Sequence, residues 1–119
     1  MTDHELIETA AKAAGYVLTD GSSGYRSFRC YGGKEWNPLA DDGDALRLAV
    51  RLGLRITPGK YKGDGTSVDP VRDSTAGCTC FRDDVNEQTR RAIVTAAAEI
   101  GKARAAASIS TKEGDGYAD

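Results

Sequence analysis

Histidine, methionine and tryptophan occur once each in this chain of 119 residues, phenylalanine twice, and proline and cysteine three times each. A single histidine, His4, leaves little material for a nucleophile–base pair, because an activated nucleophile needs a base and an orienting group beside it. The three cysteines, Cys30, Cys78 and Cys80, are an odd number. The opening Met1-Thr2-Asp3-His4-Glu5 is polar and acidic, so the expectation is a reducing cytosol with free thiols. No apolar run approaches the ~18–20 residues that cross a bilayer. A basic excess is also missing: 16 Lys and Arg against 18 Asp and Glu give a net charge of −2. That balance argues against a general nucleic-acid coat and leaves room only for a local basic patch.

What is present is the grammar of one small α+β domain. The length suits a single domain that buries enough surface to hold a core without disulfides or a metal. Thr2 with Glu5 forms a capping-box pattern, Leu6, Ile7, Ala10, Ala11 and Ala14 share one helical face, and Gly15 is a left-handed stop. Tyr16-Val17-Leu18 and Tyr25–Tyr31, separated by Asp20-Gly21-Ser22-Ser23-Gly24, read as a β-hairpin that Gly32-Gly33 ends. Asp41 or Asp42 caps a second helix, with Asp44 in its first turn and Gly53 at its end. Its apolar density marks it as the central core helix, with Leu46, Ala49, Val50 and Leu52 apolar. Leu54-Arg55-Ile56, Ser67–Val71 and Ala76–Phe81 read as strands, and Tyr61–Gly65 as a loop or hairpin tip. Asp84 and Glu87 open a third helix with the stripe Val85, Thr89, Ile93, Ala96, Ala97 and Ile100. The expected order is α-β-β-α-β-β-α, a small antiparallel sheet packed by three helices as two layers or an α/β/α sandwich. Residues 1–104 form the domain and 105–119 a polar, disordered tail.

The chemistry candidates are sparse. Cys78-x-Cys80 with Cys30 and His4 lacks the paired spacing of a zinc site, and buried thiols explain it more simply. Asp41, Asp42 and Asp44 lack the calcium-loop pattern and suit helix capping. Gly59-Lys60 and Gly63-Asp64-Gly65 complete neither phosphate-loop motif. The remaining cluster is basic and aromatic: Arg26, Arg29 and Tyr31 on a strand beside Tyr25, with Lys60, Tyr61 and Lys62 on a loop. These residues are the candidate ligand- or partner-binding set, able to stack on and pair with a nucleotide or single strand. No metal and no cofactor are expected, and no catalytic set is legible.

Several blocks resemble a known family. Trp36-Asn37-Pro38-Leu39 followed by Asp41-Asp42-Gly43-Asp44-Ala45-Leu46-Arg47-Leu48-Ala49-Val50 is similar to small proteins encoded by tailed phages and prophages of Gram-negative bacteria. Thr89-Arg90-Arg91-Ala92-Ile93-Val94, Ala97-Ala98-Glu99-Ile100-Gly101 and the ending Ala11-Lys12-Ala13-Ala14-Gly15 of the first helix look like the same group. The blocks span most of residues 1–104, with Gly53–Phe81 matching least. The resemblance implies the phage ABA-sandwich domain, a sheet between helices. It also implies structural roles for Trp36 as a core anchor, Asp42 as a cap, and Leu46 and Val50 as packing residues.

The expected function is that of a phage-encoded accessory protein, not an enzyme, that binds a host component such as an antiviral defence system, CRISPR included. The alternatives are a sponge for a nucleotide immune signal and a nucleic-acid-binding module. The implied partners are a host protein complex first, then a cyclic nucleotide or nucleic acid, in the host cytoplasm and away from membranes, with homo-oligomer formation left open.

Overall fold

The computed structural model describes residues 2–16, 19–20, 28–30, 34–60, 63–71 and 77–114, with backbone alone at 19–20, 28–30, 34 and 107–114. In chain order the elements are α1 (Asp3–Ala14), β1 (Thr19–Asp20), β2 (Phe28–Cys30), β3 (Lys34–Trp36), α2 (Asp42–Leu52), β4 (Leu54–Thr57), β5 (Thr66–Pro70), β6 (Cys78–Cys80) and α3 (Val85–Gly114). The strands form two antiparallel three-stranded sheets, β1-β2-β3 and β4-β5-β6. The α+β class is as expected, and the first β segment holds three strands where a two-stranded hairpin is expected. The added strand is β3, which pairs Phe28 with Trp36, Arg29 with Glu35 and Cys30 with Lys34. Lys34-Glu35-Trp36 carries no strand pattern of its own; pairing with β2 supplies the conformation.

The hairpin expected over Val17–Tyr31 is represented by β1 and β2, with Thr19 opposite Arg29 and Asp20 opposite Phe28. Asp20 therefore belongs to a strand and not to the turn. Tyr16 lies outside β1 and sets its ring edge-on against Trp36, at 5.4 Å between centroids and 83°. Val17 and Leu18 lie outside the described residues.

Local chemistry fixes the helix ends. Glu5 N donates to Thr2 Oγ1 (3.1 Å) while Thr2 N donates to Glu5 Oε1 (3.0 Å), the reciprocal capping box of α1. The Thr2 amide holds the Glu5 carboxyl below its ordinary range. α2 is capped by Asp41, whose Oδ2 accepts from Asp44 N at 2.8 Å. Gly15 (φ 79°) and Gly53 (φ 66°) close α1 and α2 in the left-handed conformation that side chains with a Cβ disfavour. At the start of α3, Asp84 Oδ1 accepts from Asn86 N at 3.0 Å.

The central helix is α3, not α2. Gln88, Ala92, Ile93, Val94, Ala96, Ala97, Ala98 and Ile100 are buried, so the middle of α3 is covered nearly all round. α1, α2 and the second sheet all pack on it. The α1–α3 crossing is close: a Cβ on Gly101 would lie 2.6 Å from the Thr9 carbonyl oxygen, so this position demands glycine. Arg91 Nη2 pairs with Asp3 Oδ1 at 2.8 Å, and Arg104 Nη1 donates to Ala13 O at 2.8 Å, fastening both ends of α1 along α3. The helix continues to Gly114, through positions expected to lie in a tail; residues 115–119 are outside the described residues.

In the second sheet, Thr66 and Val68 are buried and Leu54, Ile56, Cys78 and Cys80 half-buried on the face toward the helices. Arg55, Thr57 and Thr79 are exposed on the other face. That face bears polar cross-strand pairs, Arg55 with Asp69 (4.0 Å) and Ser67 Oγ with Thr79 Oγ1 (3.0 Å). Among the described residues this sheet has one covered face, which makes it the second layer of a two-layer arrangement and not the middle of a sandwich.

Candidate functional site

α2 presents apolar residues in two directions. Ala45, Leu48, Ala49 and Leu52 follow the i, i+3, i+4, i+7 spacing and are buried. Leu46 and Val50 sit one position after Ala45 and Ala49, about 100° round the helix. They are 59% and 68% exposed, so the packing role expected for both is not what the fold gives them. The four-residue stripe already fills the contact with α3 and β4, and the neighbouring positions face away from it.

Leu46 leads into a groove of about 300 Å³ between α2, β4 and the start of α3. Its apolar lining comes from Ala45, Leu46, Ile56, Pro58, Val85 and Ile93. One end is polar. There Arg90 crosses from α3, its Nε donating to Leu39 O (2.9 Å) and its Nη1 to Asp42 Oδ1 (2.6 Å). The Asp42 carboxylate is thus an ion-pair partner of α3, while Asp41 is the cap. Asp83, Asp84 and Glu87 are exposed where α3 begins, with Arg82 beside them, next in sequence to the lining residues Val85 and Asn86.

The third aspartate of the cluster is also engaged. Asp44 is buried; it accepts from Asn37 N (2.9 Å) and Arg47 Nη2 (2.7 Å), which ties the Trp36–Ala40 turn to α2 and holds the Arg47 guanidinium firmly protonated. The three carboxylates each have a structural partner, and among the described residues no cluster of His, Cys, Asp and Glu is placed to hold a metal ion.

Below the groove a buried polar knot fixes the β4–β5 loop. Gln88 Nε2 donates to Asp64 O and to Thr66 Oγ1, both at 2.9 Å, and Gln88 Oε1 accepts from Arg82 N at 2.8 Å. Thr66 Oγ1 accepts also from Gly59 N (3.2 Å), so both lone pairs are used and its proton is directed to Thr89 Oγ1, 3.1 Å away. Three of its bonds join residues 22 to 24 positions apart, a relation that no local spacing announces.

Among the sequence candidates, Lys60 is exposed and lines a shallow depression with Pro58, Gly59, Gly63, Asp64 and Phe81. The Gly59 amide there is already spent on Thr66, which weakens the loop as a phosphate cradle. Arg29 lies in β2 opposite Glu35, in a different sheet from the Lys60 loop; its side chain is not described. Arg26, Tyr31, Tyr61 and Lys62 lie outside the described residues, as does Tyr25. Apolar character alone marks Leu46 for packing; its place on the helix, about 100° from the buried stripe, is the signal that sets it apart. No family profile, curated protein or solved structure matches this chain.

Proposed function

We propose that the chain is a phage-encoded accessory protein that acts by binding a host protein, such as a component of an antiviral defence system, through the groove between α2, β4 and α3. The observation that carries the binding surface is the exposure of Leu46 on the lining of an apolar groove, with Val50 exposed one turn further along α2. Large apolar side chains left in water next to a concave apolar surface are a common sign of a contact site. The occupant that fits is a protein segment with two or three apolar side chains on one face and basic residues at the end meeting Asp83, Asp84 and Glu87. The same three carboxylates disfavour a nucleic-acid backbone at this face. The phage origin rests on the resembling blocks around Trp36–Val50 and Thr89–Gly101.

The test is functional. A defence-targeted phage is plated on cells carrying an active CRISPR system and expressing either the wild-type chain or the Leu46→Asp/Val50→Asp double variant. The expected outcome is restored plaquing with the wild type and loss of that restoration with the variant. Equal plaquing by the two proteins would reject the groove. Failure of the wild type to restore plaquing, here and against a panel of other defence systems, would reject the host-protein reading.

A further inference from the structure

The two described cysteines occupy alternate positions of β6, an edge strand of the second sheet. Both turn toward α3 and both are half-buried. Thr79 between them points outward and is held by Ser67 Oγ at 3.0 Å. Cys78 Sγ lies 3.1 Å from Ala92 O and within hydrogen-bonding reach of Cys80, and its single proton serves one acceptor or the other. The Cys80 thiol is within hydrogen-bonding reach of Cys78 and of the Thr95 hydroxyl, and it faces the positive charges of Arg82 and Arg91. Arg91 is itself paired with Asp3, and Glu99 is the acidic side chain that acts on Cys78.

These neighbours divide the labour between the two sulfurs. Cys78 as a donor, then Thr95, Arg82 and Arg91, stabilise a thiolate at Cys80 and bring it down to about 6, against burial that pushes the other way. Cys78 moves upward, because its proton is the one the Cys80 sulfur holds and because it is the more deeply placed. The surroundings thus favour the thiolate at Cys80 and the protonated form at Cys78, on two side chains that share one face of the strand. A nucleophilic thiolate beside a second thiol, partly open to solvent, is the arrangement that reacts with electrophilic oxygen and then resolves.

We infer that Cys80 is an oxidation site for hydroperoxides and that Cys78 is its resolving thiol. The Cys80 thiolate attacks the terminal peroxide oxygen. An S–O bond forms as the O–O bond breaks, and the departing oxygen takes a proton and leaves as water or an alcohol. Cys80 becomes a sulfenic acid. Cys78 sulfur then attacks Cys80 sulfur; the S–S bond forms, the S–O bond breaks, and the hydroxyl leaves as water with the proton that Cys78 gives up. The two thiols lose two electrons and two protons in total, and the hydroperoxide is reduced.

Closure has a structural cost that the edge position keeps local. Same-face neighbours on a strand are about 6.4–6.8 Å apart at Cα, the upper edge of the range for disulfides, which cluster at about 5.5–6 Å. The strand must pucker at Thr79, which separates it from Ser67 and loosens β6 from β5. An edge strand paired on one side yields to this without disturbing β4.

The site is testable on the full chain, because trypsin releases residues 73–82 as one peptide that contains Cys78 and Cys80 and no other cysteine. Reduced protein is treated with hydrogen peroxide at pH 7, blocked with a maleimide, digested and weighed. The expected product is this peptide carrying an internal disulfide, two hydrogens lighter than the dithiol. Cys78→Ser should stop the reaction at a sulfenic acid on Cys80 that dimedone captures, and Cys80→Ser should slow peroxide consumption by about tenfold or more. Circular dichroism checks that each variant is folded. If one variant is unfolded, the wild-type peptide and the other variant decide. Recovery of the wild-type peptide with both thiols intact would overturn the inference. So would oxidation confined to Cys30, or a disulfide from Cys80 to Cys30 in place of Cys78.

Discussion

Leu48 and Leu46 are two positions apart on α2, yet one is wholly buried and the other is 59% exposed. The same contrast separates Ala49, which is buried, from Val50, which is 68% exposed. Apolar content alone does not say which residues hold a helix in place. The buried set is the one turned toward the rest of the fold, where α2 meets α3, α1 and β4, and Leu46 of the exposed set lines a groove. One face of α2 serves stability, and the other is free to serve recognition.

Replacing residues on either face tests that division. Leu48→Ala deletes a fully buried side chain in the α2–α3 contact and should lower unfolding free energy by about 2–5 kcal/mol, measured by urea denaturation. Gln88→Met keeps most of the volume but leaves the Arg82 amide and the Asp64 carbonyl without their buried partner. Its expected cost is about 1–3 kcal/mol. Retention of full stability by this variant would show that the polar knot is dispensable. Asp44→Asn removes the charge that Arg47 contacts while leaving an acceptor for Asn37 N. Because Arg47 is more than half exposed, the expected loss is about 1 kcal/mol or less by thermal unfolding. Leu46→Asp with Val50→Asp should leave stability within about 0.5 kcal/mol, since neither side chain is in the core. A large destabilisation by that pair would erase the distinction between the two faces.

The helical frame was legible in the sequence because its signals are local. Thr2 and Glu5 cap each other three residues apart, Asp41 reaches Asp44 N, and Gly15 and Gly53 terminate the two helices they follow. The second sheet was legible in outline from Leu54–Ile56, Ser67–Val71 and the Cys-x-Cys strand. β3 was not, because Lys34-Glu35-Trp36 becomes a strand only by lying against β2. The rank of the helices was also hidden. α3 looks one-sided by its stripe, and only the assembled fold shows neighbours around it. Of the chemical groups, the shared face of Cys78 and Cys80 followed from period-two alternation. Their opposite proton affinities did not, since Thr95 and Arg91 come from another element. The groove beside Leu46 required knowing that four other residues already satisfied the α2 contact.

The close crossing at Gly101 and Thr9 bears on how the chain emerges from the ribosome. α1 is made first, but the surface it covers belongs to the last helix. Its small apolar face therefore waits in water while the strands and α2 are synthesised, several seconds at about 5–20 residues per second. The contact forms only after residues around Gly101 have cleared the exit tunnel, so the domain closes late, and a nascent chain halted before that point has no docking surface for its first helix.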